Sequence, residues 1–228
     1  MKKIYFLLLI SFISLTSGFS QQLSMLGHLI PVNTSLTPNQ PPFRILFAFA
    51  ELPANCQYAN TNTNYWQPGQ LPSFHTQLID NAVTNNPQGY ITKYFYDASF
   101  GQYNVIGDFV DNVISMPCGS TDKDVIDVIS NLYNSSSLNL YYNTPLSDFD
   151  NYTILGGGQE YFLKPAVQDN SIDAVIVICR NNPFYGYNSG FGLSFYYFFP
   201  HPIGSYGINS GCAFGSDGNI DNVAFILQ

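Results

Sequence analysis

Apolar residues gather in two near-continuous runs, Phe43–Glu51 (FRILFAFAE) and 171–179 (SIDAVIVIC). Runs of this length without alternation predict strands covered on both faces. A third stretch, 193–199 (LSFYYFF), is built of strand-forming residues. Residues 102–110 place Tyr103, Val105 and Phe109 on alternate positions with Gly107 between them. That pattern predicts a strand bent or bulged at the glycine, followed by a short strand over 112–116.

Three helices are expected between these strands. Ser73 is a suitable N-cap for a helix carrying Phe74, Leu78, Ala82 and Val83 on one face, with Asn85, Asn86, Pro87 and Gly89 ending it. A second helix is predicted over 90–98, where Ile91, Tyr94, Phe95 and Ala98 repeat at helical spacing, and Gly101 closes it. Thr121 followed by Asp124 has the form of a capping box ahead of Val125, Val128, Ile129 and Leu132. Asp122 and Asp124 would then sit where the helix dipole favours acids. Buried strands alternating with amphipathic helices predict an α/β (α+β) fold with a mixed sheet, and no repeat of fixed period is present.

The chain opens with Met1, Lys2 and Lys3, an apolar run over 4–15 and small residues at Gly18 and Ser20. This is the make-up of a secretory signal peptide, with cleavage expected after Ser20. The run is too short to span a bilayer, which takes about 20 residues. Residues 21–42 are polar and punctuated by proline, as in a linker or N-terminal arm, and the folded domain is expected over 43–228. The expected product is secreted or held at the cell surface, without a membrane span.

Charge narrows the range of partners. Seven basic residues face fifteen acidic ones, and two of the basic residues lie in the leader. So acidic a chain repels nucleic acid and anionic membranes. The acids are scattered, and the expectation is a solvated surface that keeps an exported protein in solution.

Export also bears on Cys56, Cys118, Cys179 and Cys212, because disulfides persist outside the cytosol. No two are close enough for a C-x-x-C motif, and three pairings are open. Cys179 is expected to end a buried strand and Cys212 to lie in the next long loop, which favours Cys179 with Cys212 and Cys56 with Cys118.

A complete catalytic or metal site is not found. A catalytic zinc takes about three protein ligands, and a helix supplies two when histidines stand four apart. The histidines are His28, His75 and His201, none so spaced and none followed by Glu. The nearest approaches to G-x-S-x-G, at 186–190 and 207–211, have the serine one place late, and the glycines at 156–158 lack a P-loop lysine. Asp217, Asn219 and Asp221 begin like a calcium loop, but Asn222 and Gln228 stand where glycine and a bidentate acid belong, so an ordinary turn is the better reading. Glycosylation sequons occur at Asn33, Asn134 and Asn151.

One segment is more specific. Residues 94–110, YFYDASFGQYNVIGDFV, give a helix ending in Ser-Phe-Gly that turns into a strand ending Gly-Asp-Phe-Val. This resembles the N-terminal half of the secreted zinc metallopeptidases of the immune inhibitor A and gametolysin type. Phe43–Glu51 is similar to the family's opening strand, 66–71 (WQPGQL) to the loop before its first helix, and 172–179 to the strand leading toward the zinc site. The resemblance implies a partial zincin-like fold: a twisted mixed sheet packed on helices, with a protein or peptide substrate along an edge strand above the metal. The H-E-x-x-H helix of such enzymes is absent here, so no catalytic, cofactor-binding or metal residue carries over, and zinc is expected only if the chain continues past Gln228. The apolar end, VAFILQ, favours such a continuation. Two readings follow: an N-terminal fragment inactive alone, or a self-contained exported binding or surface protein using the aromatic, Gly-rich stretch 184–199 for contacts.

Overall fold

The computed structural model describes residues 41–56, 66–155, 162–165, 168–180, 194–196 and 199–216. The signal peptide, most of the arm, His28, Asn33, the 156–158 glycines, most of 184–199, Asp217 to Asp221 and the final apolar run lie outside them.

The first apolar run forms β1 (Phe43–Glu51). After it come α1 (His75–Leu78), α2 (Tyr90–Ala98), β2 (Val105–Phe109), β3 (Ile114–Ser115) and α3 (Asp122–Asn134). The second half supplies β4 (Tyr152–Leu155), β5 (Phe162–Pro165), β6 (Ser171–Ile172), β7 (Ala174–Arg180), β8 (Ser194–Tyr196), β9 (Phe199–Ile203), β10 (Tyr206–Ile208) and β11 (Gly211–Ser216). The main sheet runs β2-β1-β7-β11-β8, with β3 continuing the β2 side of β1. Its first four strands are parallel, and β8 is an antiparallel edge strand. Strands β6, β10 and β9 form a second sheet, and β4 and β5 an antiparallel pair. The expected α+β class, a mixed sheet packed on helices, is what forms.

The continuous apolar runs have a simple cause. In β1, Phe43, Ile45, Phe47 and Phe49 enter one core with Phe74, Leu78 and Ile91 from the α1 and α2 side. Leu46, Ala48 and Ala50 point the other way, into a second core with Val125, Ile126 and Ile129 of α3. Strand β7 divides likewise, Ala174, Ile176 and Ile178 against Val175, Val177 and Cys179. Each fully buried phenylalanine or isoleucine contributes about 1.5–3 kcal/mol. A polar residue at any of these positions would enter a dry core, so neither strand has a polar face.

Helix α2 has its expected bounds, and Thr121 and Asp124 form the expected capping box: the Thr121 N–H donates to Asp124 Oδ2 at 2.7 Å. That hydrogen bond and the Thr121 hydroxyl hold the Asp124 carboxyl below the ordinary range.

Several expectations are corrected. The helix opening near Ser73 is a single turn, and Ala82 and Val83 lie outside it. Ile79 turns to extended backbone, carrying Asp80 to the start of α2, where its carboxylate accepts the N–H groups of Gln88 and Gly89 at 2.9 Å. One cap outweighs another turn of helix because α2 has no side-chain cap of its own.

The strand expected over 171–179 breaks at Asp173 into β6 and β7, which belong to different sheets. Asp173 is buried and accepts the N–H groups of Asn151 and Tyr152, while its carbonyl accepts the Ser210 hydroxyl. Of the stretch 193–199, Ser194–Tyr196 lies in β8 and Phe199 opens β9.

Gly107 neither bends nor bulges β2, which spans only 105–109 and pairs with β1 in unbroken parallel register. The glycine is required by close approach: a Cβ there would lie 2.3 Å from the Ile45 carbonyl oxygen.

Finally, the acids are not all solvated. Asp108, Asp122, Asp150 and Asp173 are buried. Asp108 accepts the N–H groups of Phe109, Tyr142 and Thr144, and Asp150 those of Asp169 and Asn170. The Asp108 and Asp150 side chains thus hold loop backbone from inside.

Candidate functional site

Parallel strands joined by crossovers over both faces create a crevice at their carboxyl ends where the connections diverge. Here the β1-to-β2 connection passes over one face with α1 and α2, and the path from β2 to β7 passes over the other with α3. The divergence falls between β1 and β7, whose last residues, Glu51 and Arg180, stand opposite each other in the ladder.

Both side chains are occupied in holding loops. Glu51 Oε2 accepts the Gly69 N–H at 2.9 Å, and Oε1 accepts the Ser115 hydroxyl at 3.2 Å. Arg180, only 2% exposed, donates from Nε to the Trp66 carbonyl at 2.9 Å. Trp66 Nε1 donates to the Gln70 carbonyl, and the indole ring stands edge-on to Phe49 and Phe74. The 66–71 loop is thus clamped to the carboxyl edge of the sheet by an acid, a base and an aromatic anchor. Among the described residues of this floor, no nucleophile and base are in contact.

The Cys56–Cys118 disulfide joins the turn after β1 to the loop after β3 on this edge, as expected. Its sequence separation of 62 corresponds to about 4 kcal/mol of loop-closure stabilisation. The expected Cys179–Cys212 bond is not made, and both thiols are free and buried. Cys212 lies in strand β11, not in a loop, and pairs with Ile176, while Cys179 pairs with Gly215. Burial pushes both thiols up to about 12, which makes them inert packing groups.

The two described histidines have other partners. His75 Nδ1 donates to the Pro72 carbonyl at 2.7 Å, and its ring is edge-on to Phe109 and Tyr141. His201 Nδ1 lies 2.7 Å from Asp127 Oδ1, joining β9 to α3. Ser210, from the second near-match to a hydrolase elbow, is buried and spends its hydroxyl on Asp173. No three of His, Cys, Asp and Glu converge among the described residues to hold a metal, so these donors do not fit a zinc ion. No described helix is long and apolar enough to cross a membrane.

Sequence reasoning overlooked the Glu51–Arg180 pairing and the buried Asp173. The first depends on the register of strands far apart in sequence. The second had a visible signal, a lone acid within an otherwise apolar run. No protein-family model and no curated protein matches the chain.

Proposed function

We propose that this chain is the N-terminal part of a secreted zinc metallopeptidase of the immune inhibitor A and gametolysin type, inactive alone. Its catalytic H-E-x-x-H segment would be supplied by sequence continuing past Gln228. Zinc, and a protein or peptide substrate, would belong to that longer form.

The observation carrying this reading is the unit formed by α2 and β2. Helix α2 ends at Ser99-Phe100-Gly101, where Phe100 and Gly101 take the left-handed conformation with φ of 55° and 77°. The Gly101 N–H returns to the Tyr96 carbonyl at 2.7 Å, and Ser99 Oγ accepts the Tyr103 N–H at 2.8 Å. Each residue of the Ser-Phe-Gly signature therefore has a physical task in reversing a helix directly into a strand. The strand adjoins β1, the sheet is mixed, and β8 supplies an antiparallel edge of the kind along which the resemblance expects substrate.

Sequencing the locus and expressing both forms tests the proposal. An open frame reaching H-E-x-x-H, with about one zinc per extended chain and chelator-sensitive cleavage of casein, is expected. The 228-residue form should show neither zinc nor cleavage. A stop codon directly after Gln228 that recurs in intact relatives would overturn it.

A further inference from the structure

Away from that edge, the end of α3 and the loop after it enclose an open groove of about 600 Å³. Its polar lining comes from Asn134, Ser136, Asn139, Asn143 and Thr144; the remainder is apolar or aromatic, and no lining residue is charged. The side-chain amides and hydroxyls of these five form no hydrogen bond with another described residue. The loop itself is held firmly. The buried Asp108 carboxylate takes the N–H groups of Tyr142 and Thr144 at 3.0 and 3.1 Å, and the Asp111 N–H donates to the Asn139 carbonyl. A polar groove whose backbone is fixed loses little order on binding.

Its chemistry selects the ligand. The absence of charge removes the basis for binding an ion or a charged peptide. Extended peptides commonly bind by adding to a strand edge, and that edge is filled here, because Leu140 bridges Val110 and the Tyr141 N–H donates to the Phe109 carbonyl. Amides and hydroxyls offer donors and acceptors together, as sugar hydroxyls do, and the apolar wall suits the C–H face of a pyranose ring. We infer that this groove is a binding site for a neutral oligosaccharide, independent of the peptidase reading.

The test is calorimetric titration of the whole chain with tetraoses of glucose, mannose, xylose and N-acetylglucosamine. Saturable binding of at least one is expected. Asn143→Gly removes an amide while suiting a position with φ of 59°, so it should preserve the melting temperature. It and Asn139→Ala should each weaken binding about fivefold, as for one lost hydrogen bond. The inference is overturned if none of the tetraoses binds, if both variants bind as the parent does, or if an uncharged extended peptide displaces the sugar.

Discussion

Cys179 and Cys212 stand on adjacent parallel strands with their side chains on opposite faces of the sheet. Cys212 pairs with Ile176 and shares its core, on the side of Phe47 and Phe49, while Cys179 lies among Ala48, Ala50 and Val177. A disulfide between them would have to pass through the sheet.

The purified chain should therefore hold two free thiols and one disulfide. Thiol titration in denaturant without reductant is expected to count two, and the same reagent on the folded protein almost none, because both sulfurs are buried. A count of zero would restore the Cys179–Cys212 bond and require a different register for β11.

Gly107 carries a heavier constraint than its place in a short strand indicates. An alanine Cβ would lie 2.3 Å from the Ile45 carbonyl oxygen, in the β1–β2 ladder, where backbone cannot yield as a flexible side chain does. Gly107→Ala should cost about 3 kcal/mol, at the upper end for overpacking, or prevent folding. Gly119→Ala is a fitting control: it too is unfavourable, from a φ of 86°, but meets nothing within 4 Å. Urea unfolding that ranks Gly107→Ala as no worse than Gly119→Ala would refute the close approach.

Tyr103 is buried beside Phe95, and its hydroxyl has no hydrogen-bond partner among the described residues. Burial, with Tyr152 and Asp173 nearby, holds the phenol well above its usual range, so it remains a neutral donor without an acceptor. An unsatisfied buried polar group costs about 1–3 kcal/mol. Tyr103→Phe should accordingly raise stability by about 1 kcal/mol, read as a higher urea midpoint at unchanged slope. A lower midpoint would mean that the hydroxyl has a partner.

These positions mark how far the sequence could be read. The strand β1, the helix α2 and the Thr121–Asp124 cap were legible because each follows from local periodicity or local capping, whereas the Cys56–Cys118 bond followed only as the remainder of a Cys179–Cys212 pairing that does not form. The truncation of α1 was not, since it depends on Asp80 meeting Gly89 across a loop. Nor was the pairing of Cys179, since register between β7 and β11 is set by side chains 30 or more residues apart. The candidate site was less legible still: the 66–71 loop stands out in the sequence by its resemblance, but the Glu51 and Arg180 clamps that hold it arise only when β1 and β7 lie side by side.

Asp173 makes the stability of the fold depend on pH in a direction opposite to that of most acids. Burial, reinforced by Asp150 and Asp169, raises its carboxyl to about 8, although two backbone N–H groups favour the ionised form. In the unfolded chain it releases its proton near pH 4. Below that pH the group is neutral in both states and costs nothing. Between about 4 and 8 the folded state keeps a proton that the unfolded state has lost, so stability falls as pH rises, and it levels off above 8. Asp173→Asn stays neutral throughout and should lack this component, whatever fixed cost the amide adds by facing an N–H group. The parent-minus-variant difference in urea unfolding free energy should thus decline steadily from pH 4 to pH 8 and then flatten. Comparing the two proteins cancels the shared acid-side contribution of Asp124, whose lowered carboxyl loses its stabilising effect only as pH falls through its own range. A difference constant across that interval would show that Asp173 is ionised in the folded protein at low pH, with the N–H groups of Asn151 and Tyr152 outweighing burial.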